Sequence, residues 1–335
     1  MRIDIHSHLM SIGFVEHLQG RDTMPVAARD GAGFVAHCAP TFSMHLQPPI
    51  LDVKTKLHDM DAAGIDVAVL SHGLPSPAML GGTEADGWSA RINDELTAIV
   101  AAHPDRFAGW ASLGFGDPGR TIAEVDRCLD ELGLAGFQVW SNAAGRSLDA
   151  PDVLPVLHHI ADRGAAVHLH PTLPANSEAM DATAMLGFAF PVDASLATLR
   201  LISAGFFDRD PAVVVAHLGG VLPWLRDRMC IHGQNSPPFP DQRRLARPMG
   251  EYVKQLYFDT VGYGRAPLEY CYGELGADRL LFGTDHPFAA PTVPGQLVAD
   301  LACTPAERQQ ILAENAQHLL RLDAAVAGQG AGLDR

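Results

Sequence analysis

The sequence has few cysteines and few basic residues, and it has no long apolar run. Its five cysteines form no CxxC pair, and an odd, scattered set indicates reduced thiols in a cytoplasmic protein rather than a disulfide framework. With 24 Lys and Arg against 39 Asp and Glu, the formal net charge is −15, which disfavours nucleic acid and anionic membranes as partners. No run approaches the roughly 18 apolar residues of a membrane span, and the opening residues MRIDIH do not resemble a signal peptide.

Short β-branched segments alternate along the chain with longer amphipathic ones, which is the pattern of βα units. The predicted strands are Arg2–His6, Val67–Ser71, Phe107–Leu113, Gly136–Trp140, Ala165–His170, Val213–His217, Leu256–Thr260 and Leu280–Asp285. The predicted helices include Leu51–Ala63, Ala90–Ala102, Thr121–Leu132, Pro151–Arg163, Leu196–Ala204, Ala266–Leu275 and Pro305–Leu322. Eight such units predict an α/β protein, a (β/α)8 TIM barrel that occupies residues 1–323 as a single domain.

Three long segments interrupt the alternation. Residues 10–50 follow the first strand and are loop-like, with several Pro and Gly, and we expect them to form a lid or a small subdomain. Residues 171–195 and 233–250 follow the fifth strand and the region of the sixth. Long connections after barrel strands belong at the active-site face, so we expect these loops to border the site. Residues 324–335, rich in Gly and Ala, are expected to form a flexible tail.

The first strand ends in a pair of histidines. His6 stands at the predicted strand end, and His8 is two residues further on. Side chains two apart in an extended chain point the same way, so the two imidazoles can converge on one ion. In a chain with 16 histidines an HxH also arises by chance, and two unrelated polar side chains at a turn are then the alternative.

Three further strands end in residues of the same kinds. The fifth ends at His170, the sixth at His217 and the eighth at Asp285. Because all strands of a parallel barrel run in one direction, these ends meet at one rim, where barrel enzymes keep their chemistry. The sequence therefore predicts a metal site there. His168 is expected to be structural and to point away from His170.

The segments IDIHSH, HLHP, AHLGG and FGTDHPF together resemble the amidohydrolase superfamily. Within it they resemble the branch that contains aminocarboxymuconate-semialdehyde decarboxylase and the γ-resorcylate and 5-carboxyvanillate decarboxylases. The resemblance covers nearly the whole chain. It implies that His6, His8, His170 and Asp285 bind one divalent metal ion, with Zn2+ expected and Mn2+ as the alternative.

The same resemblance implies the catalytic roles. His217 would lie beside the metal and act as acid or base, and Asp285 would exchange a proton as well as bind metal. Members with two metals use a carboxylated Lys on the fourth strand, and Gly136–Trp140 has no Lys, which favours a single ion.

The resemblance also suggests substrate contacts. Arg228 matches an Arg that binds a substrate carboxylate from a neighbouring subunit, which implies a homodimer. A structural ion pair is the alternative for Arg228. His286 and Phe288, which follow Asp285, are expected to shape the pocket.

The insertion departs from the decarboxylase pattern. The segment Phe42–Gln47 has no Arg where aminocarboxymuconate-semialdehyde decarboxylase carries one. His45, Arg21 and Arg29 are the candidates for a polar contact to the substrate in its place.

Two reactions fit these residues. One is nonoxidative decarboxylation of a small unsaturated or aromatic carboxylic acid; the other is hydrolysis of a lactone, amide or C–C bond by metal-bound hydroxide. An Arg that faces the metal would favour decarboxylation, whereas a pocket with no cation besides the metal would favour hydrolysis. A noncatalytic barrel should have lost a ligand, and none of the expected set is missing.

Overall fold

Eight parallel strands form the central sheet. The computed structural model describes residues 1–174, 180–235 and 245–322, and within them the strands follow one another in chain order around the sheet. They are β1 (Ile3–His8), β2 (Val67–Ser71), β3 (Phe107–Ser112), β4 (Gly136–Trp140), β5 (Ala166–His170), β6 (Val213–Val215), β7 (Tyr257–Asp259) and β8 (Leu280–Leu281). The helices outside them are Val53–Ala63, Gly82–Ala102, Pro118–Asp130, Leu154–Asp162, Phe190–Ala204, Leu222–Asn235, Arg265–Leu275, Thr292–Asp300, Pro305–Gln309 and Asn315–Leu320.

The sheet closes between its first and last strands. The backbone N–H of Ile5 donates to the carbonyl of Phe282 at 3.0 Å, and the N–H of Asp285 donates to the carbonyl of His6 at 2.7 Å. The N–H of His8 donates to the carbonyl of His286 at 2.8 Å. These bonds join β1 to the segment after β8, and they confirm the predicted (β/α)8 barrel.

Alternate side chains of the strands face the helices and the barrel interior. In β5, Leu169 packs in the main apolar core with helical residues such as Val156 and Leu201. The residues on either side of it, His168 and His170, therefore share the interior face. The expectation that His168 points away from His170 was wrong, because residues two apart in a strand point the same way; the His168 ring lies 4.7 Å from that of His6.

Two strands end earlier than predicted. β6 stops at Val215 and β8 at Leu281, whereas the prediction extended them to His217 and Asp285. Both candidate site residues instead have left-handed backbones, with φ of 56° at His217 and 59° at Asp285. This conformation ends the extended chain and is costly for residues other than Gly, a feature that clusters at functional sites.

The insertion after β1 is more ordered than predicted. Residues 10–50 form a helix, Ile12–Leu18, and a three-stranded antiparallel sheet of Val26–Asp30, Gly33–Ala39 and Phe42–Leu46. The Pro and Gly residues that suggested a loop stand at strand ends, such as Pro25 before the first strand and Gly31, with φ of 56°, in the first hairpin. They separate the strands rather than interrupt them. Residues 324–335 lie outside the described residues.

One helical segment, Ala182–Ala204, meets the length and apolar composition of a membrane span, which the sequence-based expectation missed. Half of its apolar stretch is buried in this structure, where Ala194, Leu201 and Ile202 pack in the main core. A core helix of a barrel has the same composition, so this segment is weak evidence for a membrane. All five cysteines are free thiols, as predicted.

Candidate metal centre and active-site cavity

Three buried side chains converge at the open end of the barrel. The Nε2 atoms of His6 and His8 lie 3.1 Å apart, and Asp285 Oδ1 lies 3.2 Å from His8 Nε2 and 3.3 Å from His6 Nε2. His6 and His8 come from β1, and Asp285 from the turn after β8. Two ring nitrogens and a carboxylate oxygen that face one point form a donor set typical of a divalent metal site.

His170 is a fourth candidate donor. It ends β5, and its ring centre lies 4.9 Å from that of His6 and 5.0 Å from that of His8. Its Nδ1 lies 2.8 Å from the carbonyl of Pro171, and its Nε2 is buried without a hydrogen-bond partner among the described residues. A buried polar atom without a partner is costly, and an ion that uses this nitrogen would remove the cost. The donors therefore fit a divalent metal.

The surroundings keep two of these rings neutral. Burial lowers the pKa of His8 to about 4 and that of His170 well below its ordinary value. Burial acts the same way on His6, but the neighbouring Asp285 and Asp259 outweigh it and raise the pKa of His6 to about 10. Metals bind deprotonated imidazole, so His8 and His170 are ready to bind at neutral pH, and ion binding at His6 would release a proton.

Asp259, at the end of β7, holds His6 in place and was missed by the sequence analysis. Its Oδ2 lies 2.7 Å from His6 Nδ1 and also accepts the backbone N–H of His217 at 3.0 Å, while its Oδ1 accepts that of Leu218 at 2.8 Å. A carboxylate behind a metal-binding imidazole fixes the ring and strengthens it as a ligand. The signal was available: Asp259 is a polar residue at the end of an apolar strand, the criterion that found the other donors.

We expect Asp259→Asn to weaken metal binding about 10–100-fold, because the amide removes the charge that supports His6. The dissociation constant is measured by competition with a chelator of known affinity. Asp193→Asn is the matched control, since Asp193 is a half-buried acid that bonds Ser141 outside the centre. Equal metal affinity in the Asp259 variant and the parent protein would contradict this role.

The second oxygen of Asp285 faces two other polar side chains. Tyr263 Oη donates to Asp285 Oδ2 at 2.7 Å, and His217 Nε2 lies 3.5 Å from the same oxygen. Burial alone would raise the pKa of Asp285, but the charge of His6 and bonds from His217 and His6 hold it well below its ordinary value. Asp285 thus connects the metal donors to His217. Tyr263 was missed because it follows β7 in a turn with a φ of 49°, which no strand pattern reveals.

A fully buried lysine lies behind the centre. Lys56 Nζ donates to Ser7 Oγ at 3.1 Å and to the carbonyl of His286 at 3.2 Å, and it lies 2.6 Å from His286 Nδ1. Asp59 Oδ2 lies 3.1 Å from the other ring nitrogen of His286. These contacts engage both ring nitrogens of His286, which is not among the described residues that line the cavity. Lys56 links β1 to the segment after β8 through Ser7 and His286.

The centre opens into a cavity of about 300 Å³. His217, Asp285 and Tyr263 line its base with His8 and His170. The remaining lining is mostly apolar and comes from four parts of the chain. The insertion provides Phe42, Ser43, Met44 and His45, and the segment after β2 provides Leu74. Ala182, Leu186 and Phe190 come from the start of the helical segment that leads into Phe190–Ala204, and Phe288 comes from the turn after Asp285. The insertion thus borders the site as predicted, and Phe288 reaches it.

Of the residues predicted to give the substrate a polar or cationic contact, His45 lines the cavity, whereas Arg21, Arg29 and Arg228 do not. His45 lines the cavity, and its Nδ1 lies 3.2 Å from Asp30 Oδ2. Arg21 pairs with Glu84 and Arg29 with Glu16, both away from the cavity. Arg228 is exposed on helix Leu222–Asn235 and is not among the residues that line the cavity. Within the described part of one chain, no Arg or Lys lines this space.

Several histidines buried in uncharged form make stability depend on pH. Burial lowers the pKa of His72 to about 4, and the same cause lowers that of His286 to about 4. Between pH 6.5 and 4 the unfolded chain binds protons on these rings and the folded chain does not, so the free energy of unfolding falls as the pH falls through this window. Burial raises the pKa of Asp4 to about 6, so between pH 6 and 4 this carboxyl binds a proton in the folded chain before it does in the unfolded one. Its contribution to the free energy of unfolding therefore rises as the pH falls through that window.

We expect His72→Asn to reduce this acid sensitivity in the metal-free protein. The loss of unfolding free energy between pH 7 and 4.5 should be smaller than in the parent by about 2–3 kcal/mol, since Asn does not titrate. Urea unfolding followed by circular dichroism at the two pH values measures it. Parallel pH profiles of the two proteins would refute the assignment of a buried neutral His72.

A barrel with this cluster of donors at the carboxyl ends of its strands defines a metal-dependent barrel enzyme. A family model described as amidohydrolase matches residues 3–322, and the chain belongs to this family. This confirms the predicted family and the fold.

Curated relatives and solved structures agree with this assignment. A gamma-resorcylate decarboxylase of Polaromonas sp. is 31% identical over 336 residues, which cover 93% of this chain and 98% of the relative. A 2-amino-3-carboxymuconate-6-semialdehyde decarboxylase of Dictyostelium discoideum is 30% identical, over 81% of this chain and 77% of that protein. A dihydroxybenzoic acid decarboxylase structure from Polaromonas sp., with bound manganese and the inhibitor 2-nitroresorcinol, superposes with a TM-score of 0.80 and 26% identity, over 96% of this chain and 97% of that one. The relatives are thus carboxy-lyases, and a divalent metal is supported.

Proposed function

We propose that this protein is a metal-dependent, nonoxidative decarboxylase of a small aromatic carboxylic acid. The observation that carries the proposal is the convergence of His6, His8, His170 and Asp285 at the base of a cavity of ligand size. Decarboxylases that align over more than nine-tenths of both chains support the choice of reaction.

The four donors would hold one divalent ion, which when bound supplies positive charge to an oxygen of the substrate and to the developing negative charge. Three nitrogens and one oxygen suit Zn2+, and manganese in a related structure makes Mn2+ the principal alternative. Metal analysis of protein purified without added metal, followed by reconstitution with each ion, separates the two.

Side chains of the protein would deliver the proton that replaces the carboxylate on the substrate carbon. In decarboxylation the bond between the ring carbon and the carboxylate breaks, CO2 leaves, and the electron pair left on carbon takes up a proton. Asp285 and His217 lie 3.5 Å apart at the cavity base and can pass that proton between them. Tyr263 donates to the oxygen of Asp285 that faces His217, so it orients the carboxylate.

The absence of Arg and Lys from the cavity lining, among the described residues of one chain, favours the second candidate, a hydrolase of a lactone, amide or C–C bond. A panel of hydroxybenzoates, lactones and amides incubated in D2O with metal-loaded protein separates the candidates. Decarboxylation releases CO2 and places deuterium on the carbon that lost it. Hydrolysis releases acid without CO2, and that outcome would overturn the proposed function.

Arg228 of a second copy would supply a cation that the described residues of one chain do not place in the cavity lining, and the protein would then be a homodimer with shared sites. Exposed apolar side chains near Arg228 on the same helix, Trp224 at 72% and Ile231 at 60%, support a covered surface there. We expect Arg228→Gln to raise KM for the acid substrate, because one bidentate contact to carboxylate is lost.

Mixing two impaired variants, with activity measured at a substrate concentration far below the KM of Arg228→Gln, tests this sharing. Arg228→Gln and Asp285→Asn, each strongly impaired alone, should recover activity after subunit exchange, since one site of each mixed dimer has both native residues. The matched control mixes each variant with itself. A fully active monomer in sedimentation, or no recovery in a mixture that contains mixed dimers, would refute the shared site.

A further inference from the structure

A second cavity lies beside the one above the metal donors. Its volume is about 510 Å³, and its walls come from the segments after β2, β4 and β5 and from helix Phe190–Ala204. Residues two apart in the chain, His170 and Thr172, line the first cavity and the second, and no described residue lines both. Small-molecule sites span about 300–1,000 Å³, so this space can hold a ligand with a single ring.

A carboxylate lines this second cavity, and a buried hydroxyl holds it in position. Ser141 Oγ donates to Asp193 Oδ2 and accepts the backbone N–H of Thr172 at 2.9 Å. The backbone N–H of Ser141 donates to the carbonyl of His170 at 2.8 Å. Ser141 and Asp193 both line the cavity, so the orientation of the carboxylate is fixed before a ligand enters.

Asp193 has acceptor capacity left for a ligand. A carboxylate offers about four acceptor positions, and the bond from Ser141 uses one of them. Asp193 lies in the first turn of helix Phe190–Ala204, where the helix dipole favours negative charge. Burial nevertheless raises the pKa of Asp193 above its ordinary value, because water is withdrawn from the charge. A cation that donates to this carboxylate would replace the lost hydration.

A second acceptor comes from a different part of the chain. Ser76, in the segment after β2, lines the same cavity and is fully buried. Its Oγ has no hydrogen-bond partner among the described residues. A buried hydroxyl without a partner is unfavourable, and a ligand N–H that donates to this oxygen would remove that cost. This observation points to a ligand with donor groups independently of the carboxylate.

Apolar side chains form much of the remaining wall. Met79 and Leu173 line the cavity, and so does Leu196, which lies one helical turn after Asp193 and is 52% exposed. Because residues three apart on a helix are neighbours, Leu196 presents an apolar surface next to the carboxylate. A ligand whose apolar body covers Leu196 would gain affinity from the area removed from water.

Arg200, which also lines the cavity, already has partners. Its Nε donates to Asp149 Oδ1 at 2.8 Å, and its Nη2 donates to Ser147 Oγ at 3.1 Å. An anionic ligand would compete with Asp149 for this guanidinium, and it would share the space with the carboxylate of Asp193. The lining therefore favours a cation over an anion.

We infer that this second cavity binds a primary ammonium ion on a small apolar body. The ammonium donates to Asp193, Ser76 provides a second acceptor for its N–H groups, and the apolar body lies against Leu196 and Met79. The cavity shares no described lining residue with the one above the metal donors, so the inference goes beyond the proposed function and is tested separately from it.

Titration with three amines tests the inference. Benzylammonium, phenethylammonium and butylammonium chloride are each added to metal-loaded protein near neutral pH, and calorimetry gives the dissociation constants. The matched probes are the corresponding alcohols, which keep the shape and lose the charge. We expect at least one amine to bind at one equivalent per chain and about tenfold or more tighter than its alcohol, because a hydrogen bond between charged groups contributes that much.

Asp193→Asn removes the charge of the carboxylate and keeps its shape. In this variant the amine and its alcohol should bind with affinities within about threefold of each other, because the amide cannot pair with the ammonium. Asp86→Asn is the matched control, since Asp86 is a half-buried acid that accepts the backbone N–H of Gly116 at 2.8 Å and does not line this cavity. It should keep the preference for the amine.

Two surface variants distinguish this cavity from the one above the metal donors. Leu196→Lys places a cation one helical turn from Asp193 and should weaken amine binding by about tenfold or more. Leu186→Lys is the matched control, because Leu186 is similarly exposed, at 54%, in the same helical segment but lines the other cavity. It should leave the affinity for the amine unchanged. Both side chains are exposed, so both variants should fold.

The inference is overturned if none of the three amines saturates the protein, or if amines and alcohols bind equally. It is also overturned if Asp193→Asn, folded by circular dichroism, keeps the preference for the amine. Weaker amine binding in Leu186→Lys but not in Leu196→Lys would overturn it as well, because the amine would then occupy the cavity above the metal donors. None of these results depends on CO2 release, which tests the proposed function.

Discussion

Asp285→Asn is expected to lower the turnover number by about 10²–10⁴-fold while the protein stays folded. The carboxylate has two tasks: Oδ1 faces the nitrogens of His6 and His8, and Oδ2 faces His217 and Tyr263. An amide keeps an oxygen that can face the metal, but it cannot carry a proton. The loss should therefore fall on kcat more than on KM.

The measurement pairs the rate of CO2 release with metal content and circular dichroism. A variant that keeps its metal and its fold but loses turnover supports proton transfer by Asp285. Tyr263→Phe is the matched control: it removes one hydrogen bond to the same oxygen and should cost far less than the loss of the carboxylate. If Asp285→Asn turned over at near the parent rate, the proton-transfer role would be wrong.

His170→Ala is expected to lose metal affinity by more than about 100-fold. The buried Nε2 of His170 has no hydrogen-bond partner among the described residues, and its ring lies about 5 Å from the rings of both His6 and His8. Removal of a ligand should cost more than the 10–100-fold typical of residues that only support a ligand.

Dialysis against a metal buffer, followed by elemental analysis, measures the loss. His72→Ala is the control, because His72 is also a buried histidine but bonds the carbonyl of Gly73 and does not line the cavity. It should retain about one equivalent. Full occupancy in His170→Ala would remove His170 from the proposed ligands.

The strand pattern in the sequence was enough to predict most of the residues that meet at the candidate site. In a parallel barrel the carboxyl ends of all strands meet at one rim, so His6, His170, His217 and Asp285, which lie at or just after strand ends, could be grouped from the predicted strands alone. Strand periodicity likewise brings His8 beside His6. The contacts of the two Asp285 oxygens, one with His6 and His8 and the other with His217 and Tyr263, could not be predicted, since they depend on left-handed turns at His217, Tyr263 and Asp285.

The errors have physical causes as well. His286 follows a donor in sequence, but Lys56 and Asp59 contact its two ring nitrogens, and it is not among the described residues that line the cavity. Pro and Gly in residues 10–50 indicated a loop, yet they mark the ends of three short strands. Asp259 meets the criterion that found the donors, a polar residue at the end of an apolar strand, and was overlooked; its carboxylate contacts His6 and does not line the cavity.

The central claim, decarboxylation at a single metal, is tested most directly by titration of the metal-free protein with Mn2+ or Zn2+ while CO2 release from the best hydroxybenzoate is followed. The rate should be near zero without metal, rise linearly, and reach its plateau at one equivalent per chain. A substantial rate in rigorously metal-free protein, or a plateau only at two equivalents, would contradict a reaction at one ion held by His6, His8, His170 and Asp285.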